Sequence, residues 1–191
     1  DFKFAKTTSS GALNDNDRTF IGDPNPDLIY GFNIGFAYKG FDLTAAFGGT
    51  LGNDIYNQAK GSLAQAGMQN ALADALTKAW TKDGDTNATF PRITNSNNND
   101  NFRTSSFYVE NGSYLRLLNL QLGYTLPSKL FSKISYFKGC HFYVSGQNLF
   151  TITGYSGLDP DLGIDSALNM GVDTTRYPTS RVITFGVNLQ F

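Results

Sequence analysis

Leu118-Asn119-Leu120-Gln121-Leu122-Gly123-Tyr124-Thr125-Leu126-Pro127 is the stretch that decides the fold of this chain. Its residues alternate with the two-residue period of a β-strand, which predicts that all the leucines, from Leu118 onward, and the tyrosine lie on one face. The other face is polar but uncharged. A soluble sheet normally carries charges on its polar face, whereas a transmembrane β-barrel places apolar residues on lipid and polar residues on the lumen.

The same alternation recurs along the chain and predicts an organisation into strands and long loops. We predict strands at about 28–39, 41–51, 114–126, 141–152 and 181–191, joined by loops at 5–27, 52–112 and 154–180. We interpret Phe2 and Phe4 as the end of an earlier strand, and residues 62–82 as one loop helix with an Ala-rich apolar stripe.

The first predicted strand best distinguishes a membrane wall from a soluble sheet. Tyrosines stand near both ends of one face, at Tyr30 and Tyr38, with Phe32, Ile34 and Phe36 between them. Rings with a polar tip prefer the two membrane interfaces, and hydrocarbon suits the residues between them. The opposite face is charged only at its terminal lysine. The pattern therefore favours lipid contact.

Composition excludes several classes of function. Charged residues make up 16% of the chain, below the roughly 25% of a typical soluble domain. A net charge of −1 provides no basic surface for nucleic acid. One cysteine and one histidine exclude an internal disulfide and a cysteine-ligated zinc cluster. The chain contains no apolar run of about 18 residues, so we expect no helical membrane span.

The predicted fold class is all-β, with the C-terminal antiparallel strands of a large transmembrane β-barrel, long extracellular loops and one loop helix. Five strands in an open sheet leave two unpaired edges. Hydrocarbon does not tolerate unpaired backbone groups because no water can reach them there. We therefore expect the chain to be part of a larger barrel or to close one with other chains.

We expect neither a metal nor a catalytic centre. The run from Asn14 to Asp17 offers oxygen ligands that suit calcium, but the spacing of an EF-hand loop is missing, and calcium near Asp15 and Asp17 stays an open alternative. The chain has no nucleophile motif, and Asp159 and Asp161 lie in a proline turn. The sequence therefore predicts a protein that is not an enzyme and holds no cofactor.

Several motifs, in the same order, resemble the C-terminal region of the SusC/RagA family of TonB-dependent outer-membrane transporters of Bacteroidota. They are Asp17-Arg18-Thr19-Phe20-Ile21-Gly22-Asp23-Pro24-Asn25-Pro26, Tyr38-Lys39-Gly40-Phe41-Asp42-Leu43, Gly52-Asn53-Asp54-Ile55-Tyr56-Asn57, Leu122-Gly123-Tyr124-Thr125-Leu126-Pro127, Val144-Ser145-Gly146-Gln147-Asn148-Leu149-Phe150 and Tyr155-Ser156-Gly157-Leu158-Asp159-Pro160. The similarity covers nearly the whole chain. The family's fuller acidic run is shortened at residues 11–15, which argues further against a metal.

The resemblance implies a barrel of roughly 22 strands with an internal plug. It implies a bacterial outer-membrane location, a SusD-like surface lipoprotein that acts as a lid, and energy supplied through TonB. The expected partners are the remainder of the barrel, the plug, the lid, TonB, the lipid bilayer and a glycan or peptide substrate. The plug and the TonB-contacting segment lie upstream in the family, outside this chain.

Ligand contacts are expected in the outer loops, where amides and aromatic rings can bind a sugar or peptide. We predict Phe102, Arg103, Tyr108 and Tyr114 as substrate-binding residues, and packing of the loops is the competing interpretation of each. Two other functions stay open at this point. One is a passive pore or adhesin barrel, and the other is a soluble carbohydrate-binding β-sandwich.

Overall fold

The computed structural model describes residues 1–9, 11–63, 71–93, 100–131, 136–163 and 167–191. These residues form two compact units, here called the sheet unit and the loop unit. The sheet unit comprises Pro26–Asn53, Gly112–Tyr155 and Tyr177–Phe191, and the loop unit comprises Asp1–Asn25, Asp54–Asn111 and Ser156–Arg176.

Strands dominate the described residues, and the predicted all-β, antiparallel class is confirmed. The strands are β1 (Leu28–Tyr38), β2 (Phe41–Leu51), β3 (Asp54–Asn57), β4 (Val109–Asn111), β5 (Tyr114–Thr125), β6 (Gly139–Gln147), β7 (Thr151–Thr153), β8 (Val172–Asp173) and β9 (Val182–Gln190). The helices are α1 (Gln58–Leu63) and α2 (Ala73–Thr77), with short 3-10 turns at Asp15–Asp17, Ser106–Tyr108, Ser128–Phe131 and Ala167–Asn169. Among these, no helix is long and apolar enough to cross a membrane.

The sheet unit is one antiparallel sheet in the order β1-β2-β5-β6-β9, and the short strand β7 also pairs with β5. A two-residue turn joins β1 to β2, with positive φ at Lys39 and Gly40. Positive φ at both central residues is typical of the hairpin turn whose twist matches the strands, and glycine adopts it without a steric cost. This turn sets the register, which pairs Tyr38 with Phe41 and Leu28 with Leu51.

The register gives the sheet one apolar face and one polar face. Phe32 pairs with Phe47, and their rings stack with centroids 4.9 Å apart. The apolar face extends through β5 and β6 to β9, where it ends on Ile183, Phe185, Val187 and Leu189. These side chains are exposed rather than covered, with Phe185 80% exposed.

A β-bulge in β5 corrects the predicted position of Leu118. Ala46 pairs with Asn119 but Phe47 pairs with Leu117, so Leu118 is an extra residue without a partner across the ladder. A Cβ built at Gly48, on the polar face, would lie 2.9 Å from Leu118 Cδ1. The prediction that Leu118 lies on the apolar face was therefore wrong. Leu118 is the extra residue of the bulge, and a bulge changes the direction in which a side chain points.

The predicted strand at 141–152 is also wrong as one continuous element. Its hydrogen-bonded ladder stops at Gln147, and Asn148 has a φ of 52°, a left-handed conformation that asparagine tolerates better than most residues. The chain resumes pairing with β5 at Thr151–Thr153. Two backbone hydrogen bonds connect this break to the bulge in β5. The Asn148 N–H donates to the Leu118 carbonyl oxygen, and the Leu117 N–H donates to the Phe150 carbonyl oxygen.

Side chains bridge glycines at two places in the sheet. On the polar face, His141 Nε2 lies 2.8 Å from Asp42 Oδ1, and a Cβ at the intervening Gly123 would collide with both groups. On the apolar face, Tyr30 Oη donates to the Tyr114 carbonyl at 2.9 Å across Gly49. In each case the missing side chain lets residues two strands apart interact.

The loop unit contains a smaller sheet in the order β4-β3-β8, within stretches predicted as loops. The single helix predicted at 62–82 is wrong: α1 ends at Leu63, α2 spans Ala73–Thr77, and residues 64–70 lie outside the described residues. Trp80 instead donates a backbone hydrogen bond to Phe90. The expected strand end at Phe2 and Phe4 is also wrong, since residues 1–9 contain no strand and Phe2 packs on Phe107.

Asp17 organises the N-terminal segment of the loop unit. Its Oδ1 accepts hydrogen bonds from the backbone N–H groups of Thr7 and Thr8 and from the Thr8 hydroxyl, and its Oδ2 accepts one from the Asn14 N–H. These bonds, first that of the Thr8 hydroxyl and then that of the Asn14 N–H, lower the pKa of the carboxyl group. Both oxygens are thus engaged by the chain itself.

We predict that Gly123→Ala weakens the sheet, whereas Gly35→Ala, on the same face, does not. The new methyl group at position 123 would separate Asp42 from His141, at a cost of about 1 kcal/mol or more. A methyl group at position 35 meets open space. Thermal unfolding of the complete receptor in detergent measures the difference, and equal unfolding temperatures for the two variants would contradict it.

We predict that the order of residues 7–17 falls at acid pH because of Asp17. A carboxyl group whose pKa is lowered on folding stabilises the fold above its unfolded pKa of about 3.9, and this stability is lost as pH falls toward the folded value. Asp17→Asn should reduce the hydrogen-exchange protection of this segment at neutral pH. The protection that remains in this variant should depend less on pH than that of the wild type.

Asp15→Asn is the control, since Asp15 makes an ion pair with Arg18 in which both side chains are 82% exposed. Hydrogen exchange with mass spectrometry reports protection of the segment. Wild-type levels of exchange in Asp17→Asn would contradict the assignment.

Candidate functional site

The loop unit is built around an aromatic cluster at Phe107 and Tyr108. The Phe107 ring packs on Phe2 at 4.6 Å and edge-on against Phe90 at 5.4 Å and Tyr108 at 5.1 Å, measured between centroids. Lys60 Nζ lies 4.8 Å from the centroid of the same ring. The cluster thus joins three segments that are distant in sequence, and edge-to-face pairs of this kind add to ordinary burial.

Tyr108, one of the predicted binding residues, is fully buried. Its hydroxyl donates to the Asn101 carbonyl oxygen at 3.0 Å. Burial, with a smaller contribution from Tyr56, raises the pKa of Tyr108 to about 12, so the phenol stays protonated and keeps donating at physiological pH. In this structure its contacts are with the loop unit's own interior.

Asn101 is a buried residue that hydrogen-bonds to the N-terminal segment, and it was not predicted from the sequence. Its Oδ1 accepts from the Phe2 N–H at 3.0 Å, and its Nδ2 donates to Asp1 Oδ1 at 2.9 Å. Arg92 Nε donates to the same carboxylate oxygen at 2.9 Å. In the sequence this residue closes an asparagine-rich run, 95–101, whose members look alike, and residues 95–99 lie outside the described residues.

Arg103 presents a charged side chain next to an aromatic ring. Its Nη2 makes a 2.6 Å ion pair with Asp100, and its guanidinium lies 5.8 Å from the centroid of Phe4. The described contacts leave its Nε and Nη1 without a protein acceptor. Arg103 is therefore the predicted residue best placed to bind a ligand.

The other two predicted residues have different settings. Phe102 is half-buried in the loop unit, beside Arg103 in sequence. Tyr114 belongs to the sheet unit, at the start of β5, where it is half-buried and the Arg116 guanidinium lies 5.3 Å from its ring centroid. The structure therefore groups Phe102, Arg103 and Tyr108 in one unit and places Tyr114 in the other.

Glu110 connects three segments of the loop unit. Its carboxylate accepts hydrogen bonds from the Ser156 N–H and hydroxyl, both at 2.8 Å, and makes a 3.0 Å ion pair with Lys60. Asn57 Nδ2 donates to it as well, at 3.4 Å. Burial alone would raise the pKa of Glu110, but the bonds from Ser156 and Lys60 outweigh it and lower the pKa below its usual value.

A cavity of about 480 Å³ lies in the loop unit between the N-terminal segment and residues 103–106. Phe4, Leu13 and Ile21 line it together with several hydroxyl-bearing residues and the side chains of Arg18 and Arg103. Ser105 is among the lining residues, and its buried hydroxyl has no hydrogen-bond partner in the described part of the chain. Leaving such a group unsatisfied costs about 1–3 kcal/mol.

The described residues assemble no metal site. No group of three or more histidine, cysteine, aspartate or glutamate side chains converges there. Asp159 accepts a hydrogen bond from the Asp161 N–H at 2.9 Å, which makes it part of a turn. The chemistry that these residues offer is hydrogen bonding and apolar contact.

Comparison with known proteins identifies relatives along nearly the whole chain. TonB-dependent receptor P3 of Formosa agariphila is 38% identical over 194 residues, which is 98% of this chain and 19% of that receptor. TonB-dependent receptor P39 of the same organism is 33% identical over 92% of this chain and 17% of the receptor. TonB-dependent receptor SusC of Bacteroides thetaiotaomicron is 26% identical over 98% of this chain and 17% of the receptor.

Solved structures give the same result for the fold. The structure of the RagAB peptide transporter matches 95% of this chain and 19% of its own, with a TM-score of 0.78 and 29% identity. The RagAB peptide importer in its open-open state matches 87% of this chain and 17% of its own, with a TM-score of 0.68 and 31% identity. No protein-family model matches the chain.

The chain spans about a fifth of the length of the relatives it matches. Those relatives are receptors by name. The similarity extends from the first predicted loop to the last strand, and the RagAB structures share the arrangement of the described elements. Over nearly its whole length, the chain is a homologue of TonB-dependent receptors, SusC among them.

Proposed function

We propose that this chain forms part of the wall and outer loops of an outer-membrane importer that takes up glycans or peptides with energy delivered through TonB. Its relatives named TonB-dependent receptor support the proposal, and so does its likeness to the RagAB structures. Because the chain covers about a fifth of these proteins, the activity is proposed for the complete receptor.

The exposed apolar face of the sheet unit is the observation that carries the proposal. Ile34 is 53% and Phe36 is 62% exposed, and the face continues across all five main strands. A contiguous apolar surface of this extent is typical of contact with lipid or another protein. Tyr30 and Tyr38 lie eight residues apart on it, roughly 27 Å in a strand, close to the ~25 Å apolar band of outer-membrane barrels.

The polar face suits the inner wall of such a barrel. Asn33, Thr44 and Gln121 are among its side chains, and so are Arg116 and the Asp42–His141 pair. Barrel interiors are polar, and lipid-facing and lumen-facing residues alternate along each strand. The two edge strands, β1 and β9, would pair with further strands of the complete receptor, since hydrocarbon leaves no edge unpaired.

The proposed partners follow from this assignment. A SusD-like surface lipoprotein would cover the outer loops, and TonB and the plug would act through segments outside this chain. Substrate would contact the outer loops, where Phe102 and Arg103 are the accessible candidates among the four predicted residues. We propose that Tyr108 supports them from the interior and that Tyr114 acts from the start of β5.

Uptake by the complete receptor tests the proposal. The gene is deleted in the native organism, and growth is measured on single glycans and on protein hydrolysate as the limiting nutrient. Deletion should abolish growth on one of these, and so should removal of TonB, while a plasmid copy of the receptor restores it. Normal growth without TonB would indicate a passive pore, and extraction of the receptor into buffer without detergent would indicate a soluble protein.

We predict opposite outcomes for arginine at two neighbouring positions of β1. Ile34→Arg places a charge on the apolar face near mid-strand, at a cost of about 2–4 kcal/mol at the bilayer centre. Asn33→Arg places the same charge on the polar face and should leave folding nearly unchanged. The amount of heat-modifiable receptor in outer-membrane fractions measures both effects. Equal amounts of the two variants would refute lipid contact at this face.

A further inference from the structure

We propose that a groove on the apolar face of the sheet unit binds one acyl chain of an anionic phospholipid, and that lysines at the adjacent end of the sheet hold its headgroup. The inference rests on the proposed function, since it assigns a particular lipid to a face that is proposed to contact the membrane. The groove has a volume of about 510 Å³, which falls within the range of small-ligand sites.

Side chains from neighbouring strands form the groove. The register places Phe41 of β2, Tyr124 of β5 and Phe142 of β6 in one row across the apolar face. The adjacent row contains the shorter side chains of Leu122 and Val144. Short aliphatic side chains beside large rings leave a depression in the face, and this depression is the groove.

The lining suits hydrocarbon rather than a sugar or a peptide. Phe185 and Val187 of β9 complete its apolar side chains, and no charged side chain lines it. The Tyr143 ring lies on the opposite face, where it fills the space that a Cβ at Gly186 would need. The Tyr124 hydroxyl is therefore the one side-chain hydrogen-bonding group that these described strands offer to the groove. A ligand rich in polar groups would leave most of them unpaired there.

Apolar contact alone does not select a particular lipid. Inside a bilayer, an acyl chain gains van der Waals contact from such a groove, but no hydrophobic burial, because the surrounding lipid tails are as apolar as the lining. Any preference for one lipid must then come from its headgroup. The charges next to the groove indicate which headgroup that is.

Positive charge is concentrated at the end of the sheet next to the groove. This end carries the β1–β2 turn, the connection between β5 and β6, and the end of β9. Lys39, Lys129 and Lys138 lie there. Asp42 is the one acidic side chain among the described residues of this end, and it is paired with His141 on the polar face. An anionic headgroup is therefore the complementary partner.

Two contacts describe the setting of these lysines. Lys39 Nζ lies 5.1 Å from the centroid of the Tyr38 ring, and Tyr38 pairs with Phe41 of the groove. Lys138 Nζ donates to the Phe191 carbonyl oxygen at 3.0 Å. Because an ammonium group has three donors, both lysines can still donate to phosphate oxygens.

The position along the strands also fits a phospholipid. Outer-membrane barrels have short turns on the periplasmic side and long loops outside, so the proposed function places the β1–β2 turn next to the inner leaflet. Phe41 and Lys39 are two residues apart, roughly 7 Å along a strand. An acyl chain in the groove thus brings its phosphate to the level of the lysines.

Two variants of the complete receptor test the groove and the lysines separately. Leu122→Trp fills the groove, and Lys39→Gln combined with Lys138→Gln removes two charges without altering the groove. Each receptor is purified in mild detergent and checked for heat modifiability, which reports a folded barrel. Phosphatidylglycerol and phosphatidylcholine with the same acyl chains are then added in equal amounts, and native mass spectrometry counts the lipids that stay bound.

Matched controls carry the same substitutions elsewhere. Leu51→Trp alters the same apolar face at the other end of β2, where Leu51 is 45% exposed, against 49% for Leu122, and does not line the groove. Lys3→Gln combined with Lys82→Gln removes the same two charges from exposed positions of the loop unit. Both controls should bind lipid like the wild type.

We expect the wild type to retain phosphatidylglycerol over phosphatidylcholine by about fivefold or more, the ratio that one lysine near an anionic headgroup provides. Leu122→Trp should lose most of the retained phosphatidylglycerol. The double lysine variant should retain the two lipids equally. Equal retention of both lipids by the wild type, or wild-type retention by either test variant, would overturn the proposal.

Three further results identify other occupants or locate the failure. Displacement of the lipid by excess glycerol phosphate would mean that the lysines bind phosphate without the chain, and the proposal is wrong. If Leu122→Trp separates a receptor dimer without changing the lipid count, a second copy covers the groove, and the proposal is again wrong. If Ile34→Arg and Asn33→Arg differ as predicted but the groove variants bind lipid like the wild type, lipid contact at this face stands and the groove assignment alone fails.

Discussion

The strict two-residue period of β1 and β2 is the constraint on which the remaining structure depends. Because successive side chains of a strand point to opposite faces, a slip of one residue between these strands would move every phenylalanine of the apolar face onto the polar face. The Lys39-Gly40 turn prevents this slip by fixing the pairing from Tyr38 and Phe41 onward. Antiparallel pairing of β2 with β5, of β5 with β6 and of β6 with β9 then keeps the apolar side chains of these strands on the same face, apart from the bulge in β5.

Sequence alone predicted this part of the structure well because the relevant information is local. Alternation and a two-residue turn sufficed to place the first hairpin within one residue of its observed bounds. Sequence failed where an irregularity depends on a neighbouring strand. The bulge at Leu118 and the break at Asn148 hold each other through backbone hydrogen bonds, and neither position carries a local signal for the other.

The loop unit was harder to predict for the same reason. An Ala-rich periodic stretch indicates a helix, but it does not indicate the bounds of that helix, and α2 spans only Ala73–Thr77. For the candidate site, exposure of Arg103 was foreseeable from its charge. The burial of the Ser105 hydroxyl and of Asn101 was not, because a serine or an asparagine in a polar stretch gives no sign of its burial.

The bridge from Tyr30 to the Tyr114 carbonyl across Gly49 has a consequence for how this sheet can diverge. A Cβ at position 49 would lie 2.8 Å from the phenol oxygen and closer still to the Tyr114 carbonyl oxygen, so the backbone of β5 excludes a side chain there whatever residue stands at position 30. Position 30 can therefore change at the cost of one hydrogen bond, whereas position 49 cannot change while β5 keeps its place. Divergence at these two sites is expected to be one-sided, with replacements at position 30 and a retained glycine at position 49.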